Sequence, residues 1–225
     1  MSESHRITLA GMDMIPDLSG ALYVPDFAAL LVADLHLEKG TSLAGRGIHL
    51  PPYDTRESLG QLAAVMAGTA PRRLIFLGDS FHDETARERI DARDLADLRA
   101  IANAVETFWI TGNHDPVPPG DVGGSIHEEM ALGGITLRHE PQALADGMSE
   151  IAGHLHPGAT VHQRGRRIRC RCFIGDHRRL IMPAFGSYTG ALGVNSPAFD
   201  RLFDDYWVWM LGSAAIHRFP ASKVR

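Results

Sequence analysis

Three apolar runs in the first half of the sequence each end in a polar cluster. Leu30-Leu31-Val32-Ala33 leads into Asp34 and His36. Leu74–Leu77 leads through Gly78 into Asp79, His82 and Asp83. Phe108–Ile110 leads through Thr111-Gly112 into Asn113, His114 and Asp115. Further along stand His139, in LRHE, and His154 and His156, in AGHLH. Carboxylate, imidazole and amide oxygen without thiolate form a donor set suited to manganese, iron or zinc. Asp34 and His36 are two apart, as are His154 and His156. At an extended strand end, residues i and i+2 project to the same side, so each pair is expected to offer two donors to one centre.

The elements that must position these groups follow from the pattern. Ala29–Ala33, Leu74–Leu77 and Phe108–Thr111 read as buried strands. Between them, Glu57–Ala67 and Asp83–Ala104 carry apolar residues at helical spacing, with charges opposite. Strands alternating with helices imply parallel pairing. In such sheets ligands bind outside the carboxyl ends of the strands, which is where all three clusters fall. After Asp115, short alternating runs are separated by Gly133-Gly134, Pro157-Gly158, Gly165 and Gly175-Asp176, and these predict antiparallel strands and hairpins. Val208–Leu211 and Ala215–Phe219 predict a closing hairpin. The expected object is an α/β domain over residues 1–225 with two packed mixed sheets and helices outside.

Composition sets the remaining bounds. At 44% apolar and 22% charged over 225 residues the chain is an ordinary foldable one. The 23 glycines and 13 prolines point to a loop-rich scaffold. Cys170 and Cys172 do not make a disulfide framework, and reduced thiols suit a cytoplasmic protein. The N-terminal stretch lacks the pattern of a signal peptide. No run approaches the roughly 18 apolar residues of a membrane span, so no membrane partner is expected. His5, His49, His127, His162, His177 and His217 stand outside the clusters and read as surface or structural residues.

Net charge is −5, yet Arg164, Arg166, Arg167, Arg169, Arg171, Arg178 and Arg179 fall within sixteen residues, with only Asp176 against them. Arg167, Arg169 and Arg171 alternate with Ile168, Cys170 and Cys172, as on a strand with one arginine face. That face is either a solvated exterior or a track for a phosphate backbone. Arg46 offers a similar contact beside the first cluster. Tyr188 and Phe185, in AFGSYTG, offer either stacking on a base or packing.

The blocks D-x-H, GD-x-x-x-D, GNHD, a lone His and GHxH occur in this order over residues 34–156. The series resembles the signature of the calcineurin-like metallophosphoesterases. The resemblance implies a four-layer α-β-β-α sandwich and a centre of two divalent ions, manganese first, with iron or zinc as alternatives. It implies Asp34, His36 and His156 on one ion, Asn113, His139 and His154 on the other, and Asp79 between them. His114 would reach a phosphate oxygen or the leaving group. Asp83 and Asp115 would brace the ligand loops. Many members have His-Gly at the fourth block, whereas here Glu140 and Pro141 follow His139, which is expected to restrict the substrate side.

GDSFHD places His82 where the repair-nuclease branch also has a histidine, implying a substrate contact. Residues 36–55 and 182–199 are similar to the bacterial ligase-associated DNA-damage-response endonuclease group. That similarity implies a metal-dependent phosphodiesterase acting on DNA, tied to a repair ligase and a helicase. A homo-oligomer is compatible with it. The alternatives are a phosphodiesterase of small or cyclic nucleotides and a non-catalytic repair scaffold.

Overall fold

A run such as Ala29–Val32, with no polar member, makes a strand buried on both faces. The computed structural model describes residues 6–51, 53–117, 120–163 and 165–224. His5 and Arg164 lie outside them. The first sheet takes its strands in chain order: β1 (Ile7–Leu9), β2 (Met12–Pro16), β3 (Leu22–Val24), β4 (Ala29–Val32), β5 (Arg73–Leu77), β6 (Glu106–Ile110) and β7 (Ser125–His127). Pairing is antiparallel from β1 to β4 and parallel from β4 to β7. Helices α1 (Lys39–Gly45) and α2 (Asp54–Thr69) connect β4 to β5, and α3 (Ala86–Arg89) and α4 (Ala92–Ala104) connect β5 to β6. Leu31, Ile75 and Phe108 are in register, so the three polar clusters emerge at one edge.

The second sheet contains β8 (Glu129–Leu132), β9 (Ile135–Arg138), β10 (Ser149–Ala152), β11 (Pro157–Gln163), β12 (Arg166–Gly175), β13 (Arg179–Ile181), β14 (Leu192–Gly193), β15 (Trp207–Leu211) and β16 (Ile216–Pro220). Its order is β14-β11-β12-β13-β10-β9-β8, with the β15–β16 hairpin attached to β12. Ala29, Leu31 and Ala33 face the other sheet and meet Leu137, Ile151, Phe173 and Leu180. Leu30 and Val32 point the other way, under Leu59 and Leu62 of α2 and Leu95 and Leu98 of α4. The outer face of the second sheet is covered by Val194, Phe203 and Phe199 of the short α5 (Pro197–Asp200). The expected two-sheet sandwich is therefore present, with a thin fourth layer.

Three local expectations are corrected. The pattern over Asp83–Ala104 is not one helix. Ile90 is extended, and the Asp91 carboxylate accepts the Arg93 N–H at 2.9 Å, starting α4 afresh. The second sheet is not all antiparallel, since β10 runs parallel to both β9 and β13. Pro157-Gly158 is not a turn but the start of β11, where a Cβ on Gly158 would lie 2.7 Å from the Ala191 Cβ.

Candidate active site

Backbone pairing continues past the strand ends. Asp34 N–H donates to Gly78 O at 3.2 Å and His36 N–H to Asp79 O at 2.8 Å. The residues are not extended there, contrary to the expectation from spacing. Asp34, His36, Asp79, His154 and His156 all have left-handed backbones, with φ of 54°, 46°, 46°, 68° and 44°. Non-glycine residues hold this conformation at a cost of order 1–3 kcal/mol each, and such residues concentrate at functional sites. The turn at alternate residues sends Leu35 and Leu37 into the core and the polar side chains to the sheet edge.

The side chains form two groups. In one, His36 Nε2 and His156 Nε2 are 3.3 Å apart, and His156 Nε2 is 3.2 Å from Asp34 Oδ1. In the other, Asn113 Oδ1 lies 2.9 Å from His139 Nε2 and 3.0 Å from His154 Nδ1, with those two nitrogens 3.1 Å apart. Asp79 Oδ2 stands between the groups, 3.7 Å from His36 Nε2 and 3.4 Å from His139 Nε2. The seven expected ligands are thus brought together in the expected two sets. His139 donates from Nδ1 to Leu77 O at 3.0 Å, which frees Nε2 for the centre.

The donors fit divalent cations. Asp34 and Asp79 are buried, and among the described residues only histidines form ion pairs with them. Burial alone would lower the His139 pKa. The Asp79 hydrogen bond and the charges of Asp34 and Asp79 outweigh it and raise the pKa to about 9. Burial opposes ionisation of Asp79, yet its bond to His139 holds it at about 2. Burial pulls His36 down to about 2, leaving a neutral donor. Facing imidazole nitrogens beside buried carboxylates call for positive charge between them.

His114 sits at the mouth. Its backbone N–H donates to Asp79 Oδ1 at 2.9 Å, and its Nδ1 contacts His82 O at 2.8 Å. The ring stacks on His82, 5.2 Å between centroids, and meets the ring of His36 edge to face at 5.0 Å, so the three histidines form one cluster beside the first ligand group. Asp115 is buried and accepts the Phe81 N–H at 3.0 Å, tying the loop after β6 to that after β5; burial pushes its carboxyl up to about 7. Asp83 touches no ligand side chain, but accepts the Thr85 N–H at 3.1 Å and so holds the loop after β5. Its carboxylate is forked by Arg89 at 2.9 and 2.8 Å, because α3 turns that guanidinium onto it.

Similarity to a solved structure now bears on this arrangement. The crystal structure of Pseudomonas putida nuclease MPE superposes with a TM-score of 0.74 at 28% identity, covering 95% of this chain and 98% of that one. Yfce, a phosphoesterase from E. coli, gives 0.41 at 15% identity over 85% of this chain and 97% of its own. No protein-family model matches the chain, and no curated protein matches its sequence. The chain is a phosphoester hydrolase with the metallophosphoesterase fold.

On the substrate side of this hydrolase, the sequence-predicted contacts divide. Arg46 is exposed at the end of α1; burial chiefly lowers the His82 pKa, with the charges of Lys39 and, last, Arg46 adding to it. Lys39 was not singled out by spacing. It is half-buried at the start of α1, and its charge adds to the burial that pushes down both His36 and His82. Its one signal is compositional, a lysine in a chain with 20 arginines and two lysines. Tyr188 bonds Pro51 O at 2.8 Å and packs near Gly40, bridging to α1. Phe185 is fully buried and cannot stack on a base.

Arg167 and Arg169 are exposed on one face of β12, as expected, and Arg169 reaches Ala191 O at 2.6 Å. Arg171 departs from the expectation. Its guanidinium is half-buried and donates to Ala184 O at 2.6 Å and Phe185 O at 3.3 Å, because β12 at that point passes under the 184–191 loop. Glu140 is exposed beside His139 and lines a cavity of about 270 Å³ with Asn113, Glu128, Glu129 and Arg138. No described helix is long and apolar enough to cross a membrane.

Proposed function

We propose that this hydrolase is a nuclease that cuts phosphodiester bonds in DNA, single strands first, in DNA repair. The observation that carries the reading is Asp79 Oδ2, which faces a histidine of each ligand group. Asp34, His36 and His156 would hold one divalent cation, Asn113, His139 and His154 the other, and Asp79 both. Manganese is the first choice, with iron or zinc next. Such a pair, when bound, polarises phosphoryl oxygens and supplies a nucleophilic water at neutral pH. The solved neighbour named a nuclease supports the substrate class.

The chain's own groups complete the chemistry. His114 has Nδ1 held by the His82 carbonyl, which leaves Nε2 as its free ring nitrogen. As an imidazolium it would give its Nε2 proton to the leaving oxygen. Lys39 and Arg46 would attract the flanking phosphates from the α1 side. Glu140, Glu128 and Glu129 would repel them from the opposite side, setting the direction in which a strand lies. We extend the proposal to a repair ligase and a helicase as working partners, on the resemblance of residues 36–55 and 182–199.

One panel tests this. Manganese-supplemented enzyme is offered circular single-stranded DNA, duplex DNA, cyclic nucleotides and an aryl phosphodiester. Cleavage of the circles is expected, since they have no ends. Hydrolysis of cyclic nucleotides with intact circles would replace the proposal with the small-nucleotide reading. Metal binding with no turnover of any substrate would replace it with the scaffold reading.

A further inference from the structure

His82 and His36 meet through their Nδ1 atoms at 3.4 Å, with the rings edge to face. Of two such nitrogens one must donate and the other accept. His36 directs Nε2 toward His156 and Asp79. A nitrogen that ligates a cation carries no proton, so the His36 proton belongs on Nδ1 and His82 Nδ1 receives it. Ligating histidines ordinarily pass this second N–H to a carboxylate, a carbonyl or water. Among the described residues His36 Nδ1 has no hydrogen-bond partner other than His82.

The backbone of His82 is fixed independently of its ring. Its N–H donates to Leu37 O at 2.9 Å, tying it to the loop that carries His36. Its carbonyl receives His114 Nδ1 at 2.8 Å. The ring is held between the edge of His36 and the face of His114. One residue therefore sets the tautomer of His36 through its side chain and that of His114 through its backbone.

We propose that His82 is a positioning residue whose Nδ1 orients the ligand His36, rather than a substrate contact. This rests on the dinuclear reading of the site above. It assigns the His82 proton to Nε2, on the side away from His36.

The amide of asparagine overlays Nδ1 of histidine, and that of glutamine overlays Nε2. The two substitutions therefore separate the roles. Metal-stripped parent, His82→Asn and His82→Gln are titrated with manganese by calorimetry, after circular dichroism melts confirm that each folds. Two ions per chain are expected for the parent. His82→Gln should weaken one of them by about 10–100-fold, the usual cost of losing an orienting partner. His82→Asn should bind close to the parent. Equal affinity in all three would overturn the assignment, and turnover lost in Asn but kept in Gln would then return His82 to the substrate. Equal loss in both variants would also overturn it, since Nδ1 would not be the acting atom. A parent that binds no manganese would overturn the dinuclear reading itself, an outcome visible before any variant is compared.

Discussion

Asp79 accepts the His114 backbone N–H on Oδ1 at 2.9 Å, while its Oδ2 faces His36 and His139. One oxygen holds the loop after β6, and the other meets both ligand groups. Asp79→Asn keeps the size and an oxygen for the His114 N–H, but removes the charge. Metal and activity should be lost together. The check is metal content after desalting beside phosphodiesterase rate. A variant with two ions per chain and parental turnover would end the bridging assignment.

His114 follows Asn113 directly, but its ring packs between His82 and the edge of His36 rather than within either expected set of ligands. His114→Ala should retain both ions and lose about 10²–10⁴-fold in rate, the scale of acid–base assistance. The rate must be set against metal content in the same preparation. Metal loss in proportion to activity loss would make His114 a ligand.

The parts legible in the sequence are those with long or repeated signals. Ala29–Val32, Leu74–Leu77 and Phe108–Ile110 are wholly apolar, and such short runs between turn residues suit strands buried by the core. The two-apart spacing of Asp34 and His36 located the site, though for another reason than the one that operates. The left-handed backbone, not the pleat, brings the pair together. The parallel setting of β10 was not readable because four residues carry too little periodicity to show a partner or its direction. Alternation placed Arg171 on the correct face but says nothing of depth, and depth makes it a brace. Asp91 was readable as a helix start and was hidden by the longer amphipathic pattern around it.

Five candidate ligands in left-handed conformations imply that the loops are held against backbone strain. Bound cations would offset it. Ligand at about 100 times its Kd stabilises by about 2.7 kcal/mol. For a chain of this length each kcal/mol moves Tm by roughly 2–4 °C. Chelation should therefore lower Tm by roughly 5–10 °C, and manganese should restore it. Calorimetric scans with chelator and after readdition provide the check. An unchanged Tm would show that the loops hold their shape without metal.

Arg167 lies opposite His162 and Arg169 opposite Thr160 on the β11–β12 ribbon, and Thr160 stands four residues beyond His156. At the strand rise, Arg169 is about 13 Å and Arg167 about 20 Å along the ribbon from His156. A nucleic-acid strand crossing the site would meet Arg169 first. On single strands each neutralised phosphate contributes about 0.7 to the salt slope of binding. The Arg167→Gln, Arg169→Gln double variant should thus flatten that slope by up to about 1.4 and weaken DNA binding. Its Tm should stay near the parent's, since exposed substitutions usually cost within about 0.5 kcal/mol. Arg171→Gln should behave in the opposite way. It leaves the buried Ala184 carbonyl short of its donor, at about 1–3 kcal/mol, and removes no exposed charge. Its Tm should fall while its salt slope stays parental. Aryl phosphodiester hydrolysis should hold in the double variant, because both arginines lie away from the Asp79 centre. A parental slope in the double variant would make the arginine face a solvated exterior, and DNA would then have to be held by the α1 side alone.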